Sequence, residues 1–326
     1  MVKLSFHAKR VALIYNPAAR GLLRRPHLLQ RSIAVLEGQG LEPNLIATTG
    51  PGSAAGQARQ EIDDGCDLIV VAGGDGTIND AANGMLDTDV PLAIIPGGTA
   101  NVLAKELGLP LHAVRAASEI SRLKSCRIAA GLLRAKGPGR RCFLCMAGAG
   151  LDAEIIYRLD LHLKAAAGKF AYYAGGLGQV LRPLREFEVK VDGKKFEASF
   201  VLISRVRNYG GDLEIARNAS LLRDDFEVVL FRGKFGAQYL RYLAGVLLRS
   251  AHRMKGCTVL RADSVTCEQP QGPAVFVQMD GELAGELPIS AEVMADALTL
   301  LVPGKFLERE QAHAAVPVYA RAPRTT

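Results

Sequence analysis

The chain has 326 residues, of which 49% are hydrophobic and 22% charged, and this composition excludes a disordered polypeptide. Its formal charge of +7 at neutral pH favours anionic partners such as nucleotides or acidic membrane surfaces. Six cysteines are too few for a disulfide scaffold of this length, and no apolar run reaches the roughly 18 residues of a membrane-spanning helix.

The first residues run directly into a strand-like segment and lack the apolar region and cleavage site of a signal peptide. We therefore expect a cytoplasmic protein without a transmembrane segment. Aromatic residues make up only 6% of the chain and tryptophan is absent. Because stacking on aromatic side chains is a main mode of nucleic-acid binding, we expect no nucleic-acid partner.

Apolar strands and helical patterns alternate up to about residue 125, which is typical of a parallel α/β sheet. Continuous apolar runs at residues 11–15, 67–72 and 91–95 predict strands buried on both faces. Apolar residues at helical spacing after Thr77 and after Thr99 predict a helix behind each of the last two strands.

The second half of the chain changes to the two-residue alternation of antiparallel strands. Apolar and charged side chains alternate over residues 187–191, and Asp192-Gly193 follows as a hairpin turn signal. Residues 274–290 have the character of a second hairpin. Helices are predicted within residues 153–183 and 237–254.

These periodicities predict two domains. An α/β domain with a parallel sheet is expected over residues 1–127. A mainly antiparallel β domain is expected over residues 128–302. The C-terminal segment, residues 303–326, is expected to pack back on the first domain.

A basic segment and a pair of cysteines each allow a structural and a functional interpretation. Residues 228–262 contain seven basic residues and no acidic one, which fits either a surface helix or a face that approaches anionic lipid. Cys142 and Cys145 form a CxxC in a strand-like run. No second close pair completes a zinc site, and a redox CxxC would stand at a helix start, so we interpret them as buried thiols.

Two glycine-rich turns follow neighbouring predicted strands and lead into helices. They are GGDGTIN, from Gly73 to Asn79, and PGGTAN, from Pro96 to Asn101. Glycine lets backbone N–H groups approach phosphate closely, and a helix N-terminus adds further donors. The turns should meet at the carboxyl edge of the sheet, where open α/β sheets bind ligands.

The side chains in these turns allow two interpretations. Thr77, Asn79, Thr99 and Asn101 could each cap a helix. Asp75 is harder to explain in that way, because a carboxylate inside a phosphate cradle repels phosphate unless a cation lies between them. It therefore indicates Mg²⁺ and a nucleoside triphosphate. A dinucleotide site fits poorly because the third glycine is missing, and no GxxxxGK[ST] is present.

In order along the chain, these motifs resemble the diacylglycerol kinase catalytic-domain family, which includes bacterial diacylglycerol kinases, sphingosine kinases and ceramide kinases. The matching segments cover nearly the whole chain: YNPAARG (15–21), GGDGTIND (73–80), PGGTANVLAKELGLP (96–110), AGAGLDA (147–153) and MDGELAG (279–285). GGDGT alone is shared with NAD kinases, whereas the ordered set is specific to the family. The resemblance implies that residues 1–127 form a nucleotide-binding domain similar to that of NAD kinases and phosphofructokinases, and that residues 128–302 bind the lipid substrate.

The resemblance implies an ATP-dependent lipid kinase with ATP and Mg²⁺ as cofactors. It implies Glu282 as the catalytic base, with Asp75 as a second catalytic residue that acts through Mg–ATP; a carboxylate can accept the proton of an attacking lipid hydroxyl. Without the resemblance, Asp280-Gly281 would be a plain hairpin turn. The nucleotide-binding residues are predicted to be Asn16, Pro17, Gly21, Thr48, Gly73, Gly74, Asp75, Gly76, Thr77, Asn79, Gly98, Thr99 and Asn101.

The expected acceptor is diacylglycerol, giving phosphatidic acid, or a related lipid such as ceramide or a sphingoid base. The lipid would be presented at the inner face of the membrane, with which the protein associates transiently. The oligomeric state is open, with a homodimer as one option. A NAD kinase-like enzyme and a non-catalytic lipid-binding relative are the alternative functions.

The chain departs from the family pattern at two places. Many members carry Asn-Asp after the second Gly-Thr, whereas this chain has Asn101-Val102, so the acidic network is one carboxylate short. Bacterial members tend to carry an Asp-Asp-Gly that helps to hold a structural Mg²⁺. Asp224 and Asp225 are displaced from that pattern, and we assign no structural metal to them.

Overall fold

A computed structural model describes residues 10–136, 139–150, 153, 184–210, 213–234, 238, 241–242, 245–246 and 254–314. The described chain forms two compact units. The first contains residues up to Ala130 and returns from Ala295 onward, and the second runs from Gly131 to Met294.

The first unit is an α/β layer structure. Its strands are β1 (Val11–Tyr15), β2 (Pro43–Ala47), β3 (Leu68–Gly73) and β4 (Leu92–Pro96). Its helices are α1 (Arg20–Leu23), α2 (His27–Glu37), α3 (Ser53–Asp63), α4 (Asp75–Met85), α5 (Val102–Leu107), α6 (Ala113–Glu119) and α7 (Gly304–Ala314), with a 3₁₀ turn at Ile120–Arg122.

The four strands pair in parallel in the order β2-β1-β3-β4. Every residue of β3 and β4 is buried, as expected of strands covered on both faces. Helix α7 is held by Arg309, whose guanidinium donates to the carbonyl oxygen of Glu106 and lies near its carboxylate. The predicted parallel α/β sheet is thus confirmed.

The second unit is built from antiparallel strands. They include β6 (Arg141–Phe143), β7 (Met146–Gly150), β8 (Phe187–Val191), β9 (Lys194–Ala198), β10 (Phe200–Ser204), β11 (Asn208–Tyr209), β12 (Leu213–Glu214), β13 (Phe226–Phe231), β14 (Cys257–Ala262), β15 (Ser264–Cys267), β16 (Phe276–Met279) and β17 (Glu282–Glu286). Two long strands, β5 (Lys124–Ala135) and β18 (Ile289–Val302), have one end in each unit.

One sheet of this unit has the order β14-β13-β10-β7-β16-β17, and a second set pairs β15 with β8 and β8 with β9. Between them lies an apolar core that includes Phe143 stacked on Phe226, with ring centroids 5.6 Å apart. The mainly antiparallel second domain predicted from the sequence is therefore confirmed.

Both predicted hairpins are present and have the same turn chemistry. Asp192-Gly193 joins β8 to β9, and Asp280-Gly281 joins β16 to β17. All four residues have positive φ, from 44° at Asp192 to 84° at Gly281. This is the two-residue turn for which Asp-Gly is favoured, because its twist matches that of the flanking strands.

The cysteine pair is structural, as the sequence predicts. Cys142 lies in β6 and Cys145 just before β7, and both thiols are buried. Burial raises the pKa of the Cys142 thiol well above its ordinary value, with a smaller contribution from the Asp280 charge. A thiol held neutral in this way is a poor nucleophile and metal ligand.

Several predictions concern residues outside the described ranges. The helix predicted within residues 153–183, most of the helix predicted within 237–254, and the tail after residue 314 belong to this group. In the part of the chain that is described, no helix is long and apolar enough to cross a membrane.

Glu227 gives the second unit a pH-dependent stability. It is 2% exposed on β13, and burial raises its pKa to about 7, although bonds from Asn218 oppose the shift. The folded state thus favours the protonated carboxyl, so this contribution to stability is complete below the unfolded pKa and is lost as the pH rises through about 7.

We predict that Glu227→Gln removes this pH dependence. Between about pH 5 and pH 8, the free energy of unfolding of the natural chain should fall by about 2 kcal/mol more than that of the variant. Urea unfolding of both chains at the two pH values measures the difference. Parallel pH profiles would contradict the assignment.

Candidate active site

Three loops meet at the carboxyl edge of the first sheet, following β1, β3 and β4. The Asn16 side-chain amide donates to the hydroxyl of Thr77 at 3.0 Å, which ties the first loop to the second. The N–H of Gly97 donates to the carbonyl of Gly73 at 2.7 Å, and that of Gly21 to the carbonyl of Gly97 at 2.9 Å. The predicted glycine-rich turns therefore lie together, with the loop after β1 beside them.

Two glycines are required by the close approach of these loops. A Cβ on Gly98 would lie 2.6 Å from the Cα of Gly74, and a Cβ on Gly21 would lie 2.8 Å from the carbonyl oxygen of Gly97. Backbone atoms at these distances cannot move aside as a flexible side chain can. The three loops thus form a surface of bare backbone, which is the arrangement that phosphate-binding loops use.

Helix α4 begins inside the GGDGT motif, earlier than the sequence predicts. Gly74 occupies the N-cap position in extended conformation, and Asp75-Gly76-Thr77 form the first turn. The first N–H groups of a helix have no acceptor within the helix, and the helix dipole places partial positive charge there. The motif therefore directs a helix N-terminus at the place where the three loops meet, which suits a phosphate group.

Asp75 links the N-terminus of α4 to the N-terminus of α5. Its carboxylate oxygen Oδ1 accepts the N–H of Leu103 at 3.1 Å, and further backbone N–H groups of Asn101 and Val102 also reach it. These bonds cap the N-terminus of α5. Burial raises the pKa of Asp75, and the N–H bonds act in the opposite direction. This capping role depends on the folded structure, because residues 75 and 103 are 28 positions apart and no sequence pattern connects them.

The alternative that two threonines and two asparagines of these turns cap helices through their side chains is wrong. The four residues are Thr77, Asn79, Thr99 and Asn101. Thr77 and Asn79 lie inside α4, with Asn79 buried, and Thr99 is exposed before α5. Asn101 does stand at the N-cap of α5, in left-handed conformation, but its side chain makes no capping bond. Instead its amide group accepts from and donates to the backbone of Gly98, which closes the second glycine-rich loop.

The remaining predicted nucleotide residues lie on the same edge of the sheet. Pro17 is exposed in the loop after β1. Thr48 follows β2 and donates its N–H to the carbonyl of Tyr15 at 2.9 Å. Asp80, the last residue of the motif, accepts the N–H of Ala54 at 2.9 Å and so holds α4 to the start of α3.

The described residues fit Mg²⁺ only as part of a nucleotide complex. No group of three or more His, Cys, Asp or Glu side chains that could hold a metal occurs among them. Both carboxylates of the motif accept backbone N–H groups, Asp80 from the start of α3 and Asp75 from α5, and Asp75 is the one predicted to act through Mg–ATP. Magnesium is commonly held by one or two carboxylates together with substrate phosphates, so the phosphates would supply most of its ligands.

In the second unit, Asp280 anchors the hairpin that carries Glu282. The carboxylate of Asp280 accepts three consecutive backbone N–H groups, those of Leu144, Cys145 and Met146, at 2.8–3.0 Å. Glu282 is the first residue of β17 and is exposed. The hairpin thus exposes the Glu282 carboxylate to solvent, and the Asp280 carboxylate holds the turn against the backbone of residues 144–146.

We predict that Asp280→Asn destabilises the protein by on the order of 1–3 kcal/mol. Asn tolerates the left-handed backbone, but its amide NH₂ would face an N–H that Asp280 accepts, since both carboxylate oxygens are used. Urea unfolding measures the loss. The matched control is Asp192→Asn in the other hairpin, where the recorded bonds use only Oδ1 and the loss should be smaller. Equal losses would contradict this account.

One member of the displaced acidic pair, Asp225, is engaged in ion pairs with two arginines. Asp224 is exposed, whereas Asp225 is buried, so their carboxylates lie in different surroundings. The Asp225 carboxylate accepts from Arg223 at 3.0 Å and from Arg261 at 2.7 Å. Both oxygens of the Asp225 carboxylate are therefore engaged by guanidinium groups.

Two family models match this chain, one in each half. The diacylglycerol kinase catalytic domain matches residues 10–132, and the YegS C-terminal NAD kinase beta sandwich-like domain matches residues 145–302. The diacylglycerol kinase of Bacillus subtilis strain 168 is 30% identical over 289 residues, covering 86% of this chain and 92% of that protein.

A second relative and a crystal structure are also similar to this chain. The diacylglycerol kinase of Staphylococcus carnosus strain TM300 is 26% identical and covers 86% of this chain and 90% of its own. A crystal structure of a proposed diacylglycerol kinase from Bacillus anthracis strain Sterne has a TM-score of 0.78 at 23% identity, over 94% of this chain and 99% of that one. At that identity the likeness concerns the fold.

The chain therefore belongs to the diacylglycerol kinase family of lipid kinases. The family and the class of enzyme predicted from the sequence are confirmed.

Proposed function

We propose that the protein transfers the γ-phosphoryl group of ATP to the hydroxyl group of a lipid, with diacylglycerol as acceptor and phosphatidic acid as product. The observation that carries the proposal is the meeting of three loops at the N-terminus of α4, where Gly98 and Gly74 approach so closely that a Cβ has no room. The acceptor is suggested by relatives named diacylglycerol kinase.

The roles of the donor-side residues follow from their chemistry. Backbone N–H groups of the glycine-rich loops and the first turn of α4 bind phosphate oxygens. Asp75 holds α5 against this loop and is the predicted carboxylate toward Mg–ATP. When bound, Mg²⁺ neutralises the charge that develops on the phosphate oxygens during transfer.

The acceptor-side step needs a base. As the lipid hydroxyl oxygen bonds to the γ-phosphorus, the carboxylate of Glu282 accepts the hydroxyl proton. The bond between the γ-phosphorus and its bridging oxygen breaks, and ADP leaves with that electron pair. Glu282 is exposed on the β16–β17 hairpin, so a substrate can reach it.

The acceptor also determines where the protein acts. Diacylglycerol resides in a bilayer, so we propose transient contact with the inner face of the membrane. The net charge of +7 favours approach to an anionic surface. Ceramide and sphingoid bases present similar hydroxyl groups, and hydrophobic pockets discriminate weakly between similar chains.

A panel of acceptors tests this function. The purified chain is supplied with Mg–ATP and, in separate reactions, diacylglycerol, monoacylglycerol, ceramide, sphingosine and NAD, and the products are identified by mass spectrometry. We expect phosphatidic acid as the main product. Phosphorylation of NAD alone would identify a NAD kinase-like enzyme, and binding of lipid without consumption of ATP would identify a non-catalytic relative.

A further inference from the structure

The second unit contains a fully buried arginine, Arg205. Arg205 directly follows β10 and is 0% exposed, and its own N–H donates to the carbonyl of Cys145 at 2.8 Å. The segment from Asn218 to Asp225, which precedes β13, folds around its guanidinium group. Arginine is seldom buried unless its donors and charge are satisfied.

Carbonyl oxygens of this segment converge on the guanidinium group. Nitrogen Nη1 of Arg205 donates to the carbonyls of Arg223 and Asp225, the latter at 2.7 Å, and Nη2 donates to the carbonyl of Leu221 at 2.9 Å. The three acceptors alternate along the chain, at positions 221, 223 and 225. Backbone carbonyls that converge on one point are also what a bound cation such as Ca²⁺ uses, and here a side-chain cation occupies that point.

The charge of Arg205 is retained at neutral pH. Burial lowers its pKa to about 10, while the charges of Asp225 and Asp224 act in the opposite direction. A group with that pKa is protonated at every pH at which the protein is expected to function. The loop is therefore organised by a permanent positive charge.

The acidic side chains of the loop are committed elsewhere. Asp225 is 3% exposed, and its Oδ1 accepts from Arg223 Nε at 3.0 Å. Its Oδ2 accepts from Arg261 Nε at 2.7 Å and also from Nη2 of the same residue. Since both oxygens are bonded to guanidinium groups, the carboxylate is not available as a metal ligand. Asp224 is exposed.

We propose that the guanidinium of Arg205 is the cation that organises the loop from Asn218 to Asp225, in place of the structural Mg²⁺ that an Asp-Asp-Gly helps to hold in bacterial members of the family. On this proposal the loop adopts its conformation when the chain folds, without binding a metal ion. Because the cation is covalently part of the chain, a chelator cannot remove it and added metal cannot strengthen it.

Metal dependence of the nucleotide-free chain is the first test. Thermal unfolding is followed by circular dichroism after treatment with EDTA, and again with millimolar Mg²⁺ or Ca²⁺ against NaCl of equal ionic strength. The midpoints should agree within about 1 °C, because an ion that does not bind the folded chain cannot stabilise it. A rise of several degrees with Mg²⁺ would overturn the proposal.

Substitution of the arginine is the second test. Arg205→Met should lower Tm by about 10 °C or prevent folding, because it leaves the carbonyls without donors. Arg205→Lys keeps the charge and three donors and should recover part of the loss. The matched control is Arg232→Met, which removes an exposed arginine of the same unit that pairs with Glu186 and Glu197, and it should lower Tm by at most about 2 °C.

The outcomes of the second test are decisive in either direction. An Arg205→Met chain as stable as Arg232→Met would overturn the proposal. So would an Arg205→Lys chain no more stable than Arg205→Met, because the shape of the side chain rather than its charge would then matter. Neither test uses ATP or lipid, so the result is independent of the proposed kinase activity.

Discussion

Glu282→Gln is expected to lower kcat for lipid phosphorylation by roughly a hundredfold to ten-thousandfold, the range contributed by general base catalysis. Gln keeps the size of the side chain but cannot accept the proton of the lipid hydroxyl. Glu282 is exposed at the start of β17, so the fold should tolerate the change, as exposed sites commonly do. Steady-state kinetics with Mg–ATP and diacylglycerol micelles measures kcat and both KM values.

The same strand supplies a matched control. Glu286 ends β17 and is also exposed, so Glu286→Gln makes the same chemical change four residues away. It should retain nearly all activity, and KM for ATP should be unchanged in both variants. Full activity of Glu282→Gln would remove Glu282 from the mechanism.

Gly98→Ala is expected to raise the Kd for ATP by roughly ten- to a hundredfold. The added Cβ would lie 2.6 Å from the Cα of Gly74 and 2.9 Å from the side-chain oxygen of Asn101. Backbone must therefore shift, at the 1–3 kcal/mol that overpacking typically costs. Because the two glycine-rich loops meet at this contact, the shift displaces the donors that we propose for phosphate. Titration calorimetry with a non-hydrolysable ATP analogue measures the effect.

Gly56→Ala is the control for this change. Gly56 is exposed within α3, and nothing lies within 4 Å of a Cβ added there. Alanine is favoured over glycine inside a helix by up to about 1 kcal/mol, so the variant should be as stable as the natural chain or more so. Its affinity for the ATP analogue should be unchanged. A Gly98→Ala chain that binds as tightly as Gly56→Ala would contradict the phosphate cradle.

Local sequence patterns predict much of the fold. The Asp-Gly pairs at 192–193 and 280–281 fix both hairpins because only a few residue types accept two successive positive φ values. Buried runs followed by glycine-rich turns placed β3 and β4 side by side, since neighbouring parallel strands bring their carboxyl ends together. Here the signal lies within a few residues of the structure that it predicts.

Contacts between residues that are far apart in the sequence could not be predicted from such local patterns. The carboxylate of Asp75 caps α5 across 28 positions, and that of Asp280 fixes the backbone before β7 across more than 130. Such bonds depend on the three-dimensional meeting of loops rather than on spacing. A carboxylate in a phosphate-binding loop suggested a metal, whereas in the fold the same group also satisfies helix N–H groups.

The departure at position 102 can be interpreted through the same contact. Val102 opens α5 and is 8% exposed, beside the bonds that Asp75 receives from the helix. A second carboxylate at that position would share this buried surrounding with Asp75, and like charges in a buried site repel. Valine therefore places no second negative charge beside Asp75.

We propose that this chain transfers the γ-phosphoryl group of ATP to a lipid, and radiolabel transfer measures that step. Wild-type protein is incubated with ATP labelled at the γ-phosphate, Mg²⁺ and vesicles containing diacylglycerol, and the lipids are then extracted. We predict one label in phosphatidic acid for each ADP formed. Label that remains in ATP, or appears only as inorganic phosphate or phosphorylated NAD when NAD is present, would contradict the claim.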